Sequence, residues 1–201
     1  MNTCTYADVE KLAASLSGRY DDTTGSDLRL PPSEASALLL FAAAELEDLW
    51  TREAWPELCD HLEQITLDTN NCFSLREGAA DEIGDVLAVI ESANGSPLLD
   101  SRCTVLEADK YTRLNDRVNV RTGQASVWVD WQTPAPDLTA VDSADLQAYT
   151  LPARFKLPLA ARMAALLLAE EDPQRAAALR AVAELEINKQ ARRISRPWWR
   201  K

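Results

Sequence analysis

The closing part of the chain, from Tyr149 onward, is the feature that most restricts the fold. Four apolar residues follow a helical spacing of i, i+4, i+7 and i+8, and they are Leu159, Met163, Leu166 and Leu167. Alanines fill much of the remaining surface, so a second helix can approach closely. After a break, Asp172 is the predicted N-cap of that second helix and Pro173 its first residue. The sequence therefore predicts a helical hairpin in this region.

Two more helices are predicted before the middle of the chain. The first covers Tyr6 to Leu16, with Thr3 or Thr5 as its cap and Gly18 as its end. The second and longer one begins at Ser33 and ends near the following Trp-Pro step, because the residue before a proline is disfavoured in helical geometry. Its apolar residues are dense enough for burial on more than one side. We expect this long helix to pack on the helical hairpin.

The middle of the chain has the patterns of β-strands. A β-hairpin is predicted from Glu63–Leu67 and Cys72–Leu75, which flank a turn-forming Asp-Thr-Asn-Asn sequence. Residues Val86–Ile90 form a β-branched run and predict a single strand. A second hairpin is predicted from Val118–Arg121 and Ser126–Trp131, with Val127 and Val129 on one face and Trp128 on the other.

The predicted fold class is α+β and mainly α. The long early helix and the helical hairpin form a helical bundle, a β-rich lobe is inserted into it, and an extended tail follows. The predicted divisions are residues 1–60 and 141–194 for the two parts of the bundle, 61–140 for the inserted lobe, and 195–201 for a docking tail.

Composition and motifs give no positive sign of catalysis. The four cysteines are scattered and His61 is the one histidine, so we expect no metal site and no cofactor. No glycine-rich phosphate loop or serine nucleophile motif is present. Asp109, Asp116 and Asp130 could form a metal-carboxylate set, but ion pairs with nearby arginines also explain them. A carboxylate-dependent hydrolase is therefore the third alternative.

Charge and hydropathy restrict the partners. The formal net charge is −11, which argues against ordinary nucleic-acid binding. No apolar run approaches the roughly 20 residues that a membrane span needs, and no basic segment followed by an apolar one marks a signal peptide. We therefore expect intracellular synthesis and no membrane partner.

The C-terminal tail has the opposite charge to the rest of the chain. From Asn188 onward it contains several basic residues and no acidic one. Tryptophan and arginine are enriched where interfaces concentrate their binding energy. The predicted partner-binding residues are Arg192, Arg193, Arg196, Trp198, Trp199, Arg200 and Lys201. The alternative is that the tail folds back on its own helices.

The order of these elements resembles the head-to-tail adaptor proteins of tailed bacteriophages, especially the tail tubular protein A type of short-tailed phages. The residues that carry this resemblance are Trp55, Ile65 to Leu67, Phe73 to Leu75, Ile83, Tyr149 to Phe155 and the Ala/Leu-rich helix that follows. The likeness is one of pattern over most of the chain.

The resemblance implies a ring adaptor in the virion neck or tail, assembled in the host cytoplasm. In the family twelve copies sit beneath the portal protein and join it to the tail nozzle or tail tube. The resemblance places the C-terminal arm in the portal, and an acidic channel would let DNA pass without binding it. A different class of function is a cytosolic regulatory or scaffolding protein that holds one partner through the same tail.

Overall fold

A computed structural model describes residues 2–19, 32–75, 83–92, 96–97 and 103–194. Residues 195–201, the predicted docking tail, lie outside these ranges. The chain divides into two compact units. The first unit is made of Met1–Glu53 and Ala135–Ile194, and the second contains Ala54–Pro134.

The first unit begins with a short strand and a capped helix. Strand β1 (Thr3–Thr5) leads into helix α1 (Tyr6–Ser17). The Thr5 hydroxyl accepts from the backbone N–H of Asp8 at 3.2 Å, and the Asp8 carboxylate accepts from the N–H of Thr5 at 3.0 Å. This reciprocal pair is a capping box. Gly18 ends the helix in the left-handed region at φ 77°. The cap at Thr5 and the end at Gly18 confirm the prediction.

The remaining helices of this unit are α2 (Pro32–Thr51), α3 (Ser143–Leu146), α4 (Lys156–Leu167) and α5 (Pro173–Ala191). Strand β9 (Thr150–Pro152) precedes α4 and pairs with β1 in an antiparallel two-stranded sheet. The sequence patterns did not predict this sheet, because each of its strands is only three residues long. It joins the backbone at residue 3 to that at residue 152.

Helix α4 lies at the centre of the first unit and packs against α1, α2 and α5. Most of its surface is therefore buried, which explains its high content of alanine. Asp172 caps α5 by accepting from the N–H of Arg175 at 3.0 Å, as predicted. Trp50 of α2 packs against Phe155, just before α4, with ring centroids 5.7 Å apart.

The second unit consists mainly of strands. They are β2 (Cys59–Thr66), β3 (Cys72–Ser74), β4 (Asp85–Glu91), β5 (Thr104–Val105), β6 (Tyr111–Leu114), β7 (Arg117–Val120) and β8 (Ser126–Gln132). They form two antiparallel sheets, one in the order β2-β8-β4-β5 and the other in the order β3-β7-β6.

One hydrophobic core lies between these two sheets. It contains Val127, Val129 and Trp131 of β8 together with residues of β3 and β7 such as Phe73 and Val118. Trp128 lies on the opposite face of β8, in a second cluster. The predicted alternation along Ser126–Trp131 is therefore confirmed.

Both predicted hairpins are wrong. β2 and β3 follow one another through a turn, but β2 pairs with β8 and β3 pairs with β7. Likewise β7 and β8 lie in different sheets. In both cases the chain passes from one sheet to the other between the two consecutive strands. The apolar faces of the two strands therefore meet across the core that the sheets share. A single-strand pattern cannot distinguish this arrangement from a hairpin.

The prediction of a mainly α helical bundle is also wrong. The described residues contain three antiparallel sheets with nine strands, so the fold is α+β with substantial sheet. Three of the strands that the sequence patterns did not predict, β1, β5 and β9, have only two or three residues, too few for a recognisable alternating pattern. The sheet content was underestimated for that reason.

Candidate partner-binding surfaces

The predicted partner-binding residues begin at the C-terminal end of α5. Arg192 and Arg193 are exposed and directly follow the helix. The backbone N–H of Arg192 donates to the carbonyl of Asn188 at 3.2 Å, so the turn is continuous with α5. Cationic groups at this position interact favourably with the helix dipole. The other five predicted residues lie outside the described residues, and they are Arg196, Trp198, Trp199, Arg200 and Lys201.

Acidic and basic side chains neutralise each other one turn before this end. Glu186 accepts from Gln190 at 3.1 Å and from Lys189 at 3.0 Å. These hydrogen bonds, with the charges of Lys189 and Arg193, hold the pKa of Glu186 below its usual value. Arg192 and Arg193 form no ion pair within the described part of the chain. Both side chains are exposed at the end of α5, and the charge of Arg193 acts on Glu186.

Helix α5 is covered on one side only. Its buried residues are Ala176, Ala183 and Ile187, which lie on one stripe at spacings of seven and four. The opposite face is apolar and exposed: Val182 is 43% and Leu185 is 70% exposed. Ala178 and Ala181 are exposed on the same face. This α5 face, defined by Ala178, Ala181, Val182 and Leu185, runs directly toward Arg192.

A buried arginine fixes α5 in its position. Arg162 of α4 is 9% exposed, and its guanidinium donates to Asp48 of α2 and to Glu184 of α5, both at 2.7 Å. It also donates to Glu45 of α2. Glu184 forms a second ion pair with Arg52 at 2.9 Å. One side chain therefore connects three helices.

The charges of this cluster stabilise each other's ionised forms. Burial alone would lower the pKa of Arg162, but its hydrogen bonds to Asp48, Glu184 and Glu45 raise it above the usual value. The pKa of Glu184 is lowered, mainly by the hydrogen bond from Arg52 and further by that from Arg162. We expect Arg162 and Glu184 to be charged at neutral pH.

A cavity of about 570 Å³ opens beside this cluster. It is lined by Phe41, Ala44, Glu45, Asp48, Arg162, Arg180 and Glu184. Two arginines and three carboxylates give its wall a nearly balanced charge. The sequence patterns did not predict this cluster. The signal that could have found it is Arg162 itself, because a charged residue between alanines and a methionine in a helix buried on most sides needs partners.

The three aspartates considered for a metal site are in different environments. Asp109 is exposed in a short 3₁₀ helix before β6, and Asp116 is exposed in the turn between β6 and β7. Asp130 is fully buried on β8. Within the ranges that the structure describes, no three His, Cys, Asp or Glu residues are grouped so that they could hold a metal ion. The described structure therefore does not bring these three aspartates together as a metal site.

No model of a known protein family matches this chain, and no curated protein matches it significantly. Among the described helices, none combines the length and the apolar character needed to cross a membrane.

Proposed function

We propose that the protein is a structural head-to-tail adaptor of a tailed phage. Copies of it, twelve in the family it resembles, would form a ring beneath the portal protein and join it to the tail nozzle or tail tube. The protein would then belong to the neck or tail of the virion and be assembled in the host cytoplasm. DNA would pass through the ring without specific binding.

The observation that carries this proposal is the α5 face. A helix with a continuous exposed apolar stripe needs a partner, because isolated apolar residues are common on surfaces but contiguous stripes mark interaction sites. The Arg162 cluster connects α5 to α2 and α4 through hydrogen bonds to Asp48 and Glu184. Side-by-side packing of subunits would bury Val182 and Leu185.

The charge distribution also supports an adaptor. The α5 face leads to Arg192 and Arg193, which start the basic arm expected to enter the portal. The chain as a whole carries a net charge of −11, and a ring multiplies that charge around its channel. A negatively charged channel repels phosphate, so DNA can move through it without being held.

The same basic end supports a second candidate from another class. A cytosolic regulatory or scaffolding protein could hold a single partner through Arg192, Arg193 and the residues that follow them. Such a protein would not require a ring, and it would not need to be bound to a capsid.

Electron microscopy separates these two functions. Particles would be purified from a lysate that expresses the protein with its neighbouring genes, and the assembly that contains it would be imaged and its mass measured. We expect a ring bound to a portal or to a virion neck. A small free particle with no capsid association would refute the adaptor and favour the second candidate.

Two variants connect this assay to the surfaces described above. Leu185→Asp places a charge on the α5 face and should prevent ring formation, whereas the matched Leu185→Met keeps an apolar side chain and should assemble. Deletion of residues 195–201 should leave the fold intact and abolish docking to the portal. Normal docking after the deletion would exclude the tail as the anchor.

A further inference from the structure

In the second unit, two edge strands have outward backbone groups that no backbone hydrogen bond between described residues satisfies. In the ladder between β2 and β8, Leu67 N–H donates to the Ala125 carbonyl at 2.9 Å. The register pairs Ile65 with Val127 and Glu63 with Val129, so these are hydrogen-bonded pairs of the same kind as Leu67 with Ala125. Alternate residues of an antiparallel strand point their N–H and C=O groups to opposite sides. Those of Gln64 and Thr66 therefore point away from β8.

Strand β6 also has backbone groups that point away from its partner strand. Arg121 N–H donates to the Lys110 carbonyl at 2.7 Å. By the register between β6 and β7, Thr112 and Leu114 are the next residues whose backbone groups point toward β7. The backbone groups of Tyr111 and Arg113 therefore point away from β7. Among the described residues, no backbone hydrogen bond satisfies either outward pair.

Neither edge contains a proline, the residue that most directly prevents the pairing of a further strand. Natural proteins block exposed edges with proline, lysine or an outward charge. Residues 63–67 contain no proline and no basic residue. On β6 the Arg113 guanidinium turns back to its own unit, where it donates to the Gly84 carbonyl at 3.2 Å and lies 3.7 Å from Asp85. Each edge is therefore open to another strand.

The β2 edge also has room for a strand. A cavity of about 420 Å³ lies along it, lined by β2 on one side and by Phe73, Ser74 and Arg117 on the other. β2 and β3 are consecutive strands in different sheets, so the space between their edges is not closed by mutual pairing. On β6 the side chains of Thr112, Arg113 and Leu114 are all exposed, and Leu114 is 57% exposed.

The two edges complement each other. Each offers two residues separated by one, a spacing of about 6.8 Å along a strand. Glu63 is the one charged residue at positions 63–67 and Arg113 is the one charged residue of β6, and antiparallel pairing would place them at neighbouring positions. In an antiparallel arrangement Gln64 would face Arg113 while Thr66 would face Tyr111. An edge that fits a different edge of the same chain makes a head-to-tail contact, which repeats from copy to copy.

We propose that β2 of one copy pairs with β6 of a second copy, so that the sheets of neighbouring subunits become continuous. This inference rests on the proposed function, because the contact would be one of those that repeat around the adaptor ring. It adds a specific surface in the second unit to the α5 face of the first.

Two proline variants test the pairing. Thr66→Pro removes an outward N–H from β2, and Arg113→Pro removes one from β6, while neither N–H belongs to a ladder within the subunit. Each variant alone should self-associate at least about tenfold more weakly than the wild type, since single hydrogen bonds and strand geometry are lost together. The matched controls Thr66→Val and Arg113→Gln keep the N–H groups and should associate like the wild type.

Mixing the two proline variants gives the decisive result. Each variant retains one open edge, so an equimolar mixture should form dimers that neither variant forms alone, measured by sedimentation velocity across a wide range of concentrations. Circular dichroism and thermal unfolding show whether each variant is folded. Hydrogen exchange should show slower exchange at Gln64 and Thr66 in the assembled wild type.

Three results would overturn the inference. They are a wild type that stays monomeric at every concentration, proline variants that associate like the wild type, or a mixture that forms no dimers. In the last case, a loss of neck attachment in Thr66→Pro would indicate that a strand of a different protein occupies the β2 edge. Normal rings on portals with both proline variants would leave the adaptor function intact and remove only this contact, whereas absence of the wild type from virion necks would refute the adaptor function.

Discussion

Replacing Arg162 with methionine should strongly destabilise the first unit. Methionine has a similar length but cannot donate the hydrogen bonds that now reach Glu45, Asp48 and Glu184. Three carboxylates on α2 and α5 would then lie close together without the cation that neutralises them. The α4 surface would retain its apolar packing, so the change isolates the polar contribution.

The size of the effect follows from the exposure of the four side chains. A hydrogen bond to a charged group contributes about 1.5–3 kcal/mol, and removal of one member of a buried ion pair costs about 3–5 kcal/mol. The Arg162 side chain is only 10% exposed, but the side chains of Asp48 and Glu184 are 56% and 42% exposed and can regain water. Because that hydration offsets part of the loss, we expect a destabilisation of about 2–4 kcal/mol.

Urea unfolding followed by helical circular dichroism measures this change. All the described α-helices lie in the first unit, so the signal reports on that unit. With a slope of about 2 kcal/mol per molar, the midpoint should fall by about 1–2 M. The control Arg52→Met removes a partly exposed pair with Glu184 and should cost less than about 1 kcal/mol. Equal effects of the two variants would refute the central role of Arg162.

Two further predictions concern a close backbone contact and the response to acid. A Cβ at Gly84 would lie 2.7 Å from the Gln132 carbonyl oxygen, so Gly84→Ala should cost about 1–3 kcal/mol in urea unfolding followed by tryptophan fluorescence. Gly123→Ala meets no atom within 4 Å and should change stability by less than about 0.5 kcal/mol. The pKa of Glu184 is lowered from 4.5, so the stability that its ionised form contributes is present above that pH and is lost as the pH falls further. Unfolding free energies measured below pH 4.5 should therefore fall less steeply for Glu184→Gln than for the wild type.

Local signals in the sequence predicted the helix boundaries well. Thr5, Gly18, Asp172 and Pro173 act within one helical turn of their own positions, and each has the predicted role. Such residues satisfy or avoid backbone groups of their immediate neighbours, so their effect depends little on the rest of the fold. The strand Val86–Ile90 was predicted correctly because a dense β-branched run is itself a local signal.

Strand pairing could not be predicted in the same way. The turn at residues 68–71 is strongly encoded, and Asp68 accepts from the N–H groups of Asn70 and Cys72. That turn suggested a hairpin between β2 and β3. The core between the sheets instead selects β8 as the partner of β2 and β7 as the partner of β3, and β7 lies more than 40 residues after β3 in the sequence. The partners of Arg162 are equally distant, with 114 residues separating it from Asp48. Long-range contacts of this kind leave only an indirect trace, such as a charge within an apolar helix.

The two-stranded sheet of β1 and β9 determines the order in which the protein can fold during synthesis. A ribosome makes residues 54–134 before it reaches Thr150–Pro152, so β1 has no partner until the entire second unit has been translated. Helix α1 must also wait for α4, which covers it. Residues 54–134 form one continuous segment of the second unit, and the core between its sheets lies within that segment. It can therefore fold cotranslationally while the first unit is still incomplete.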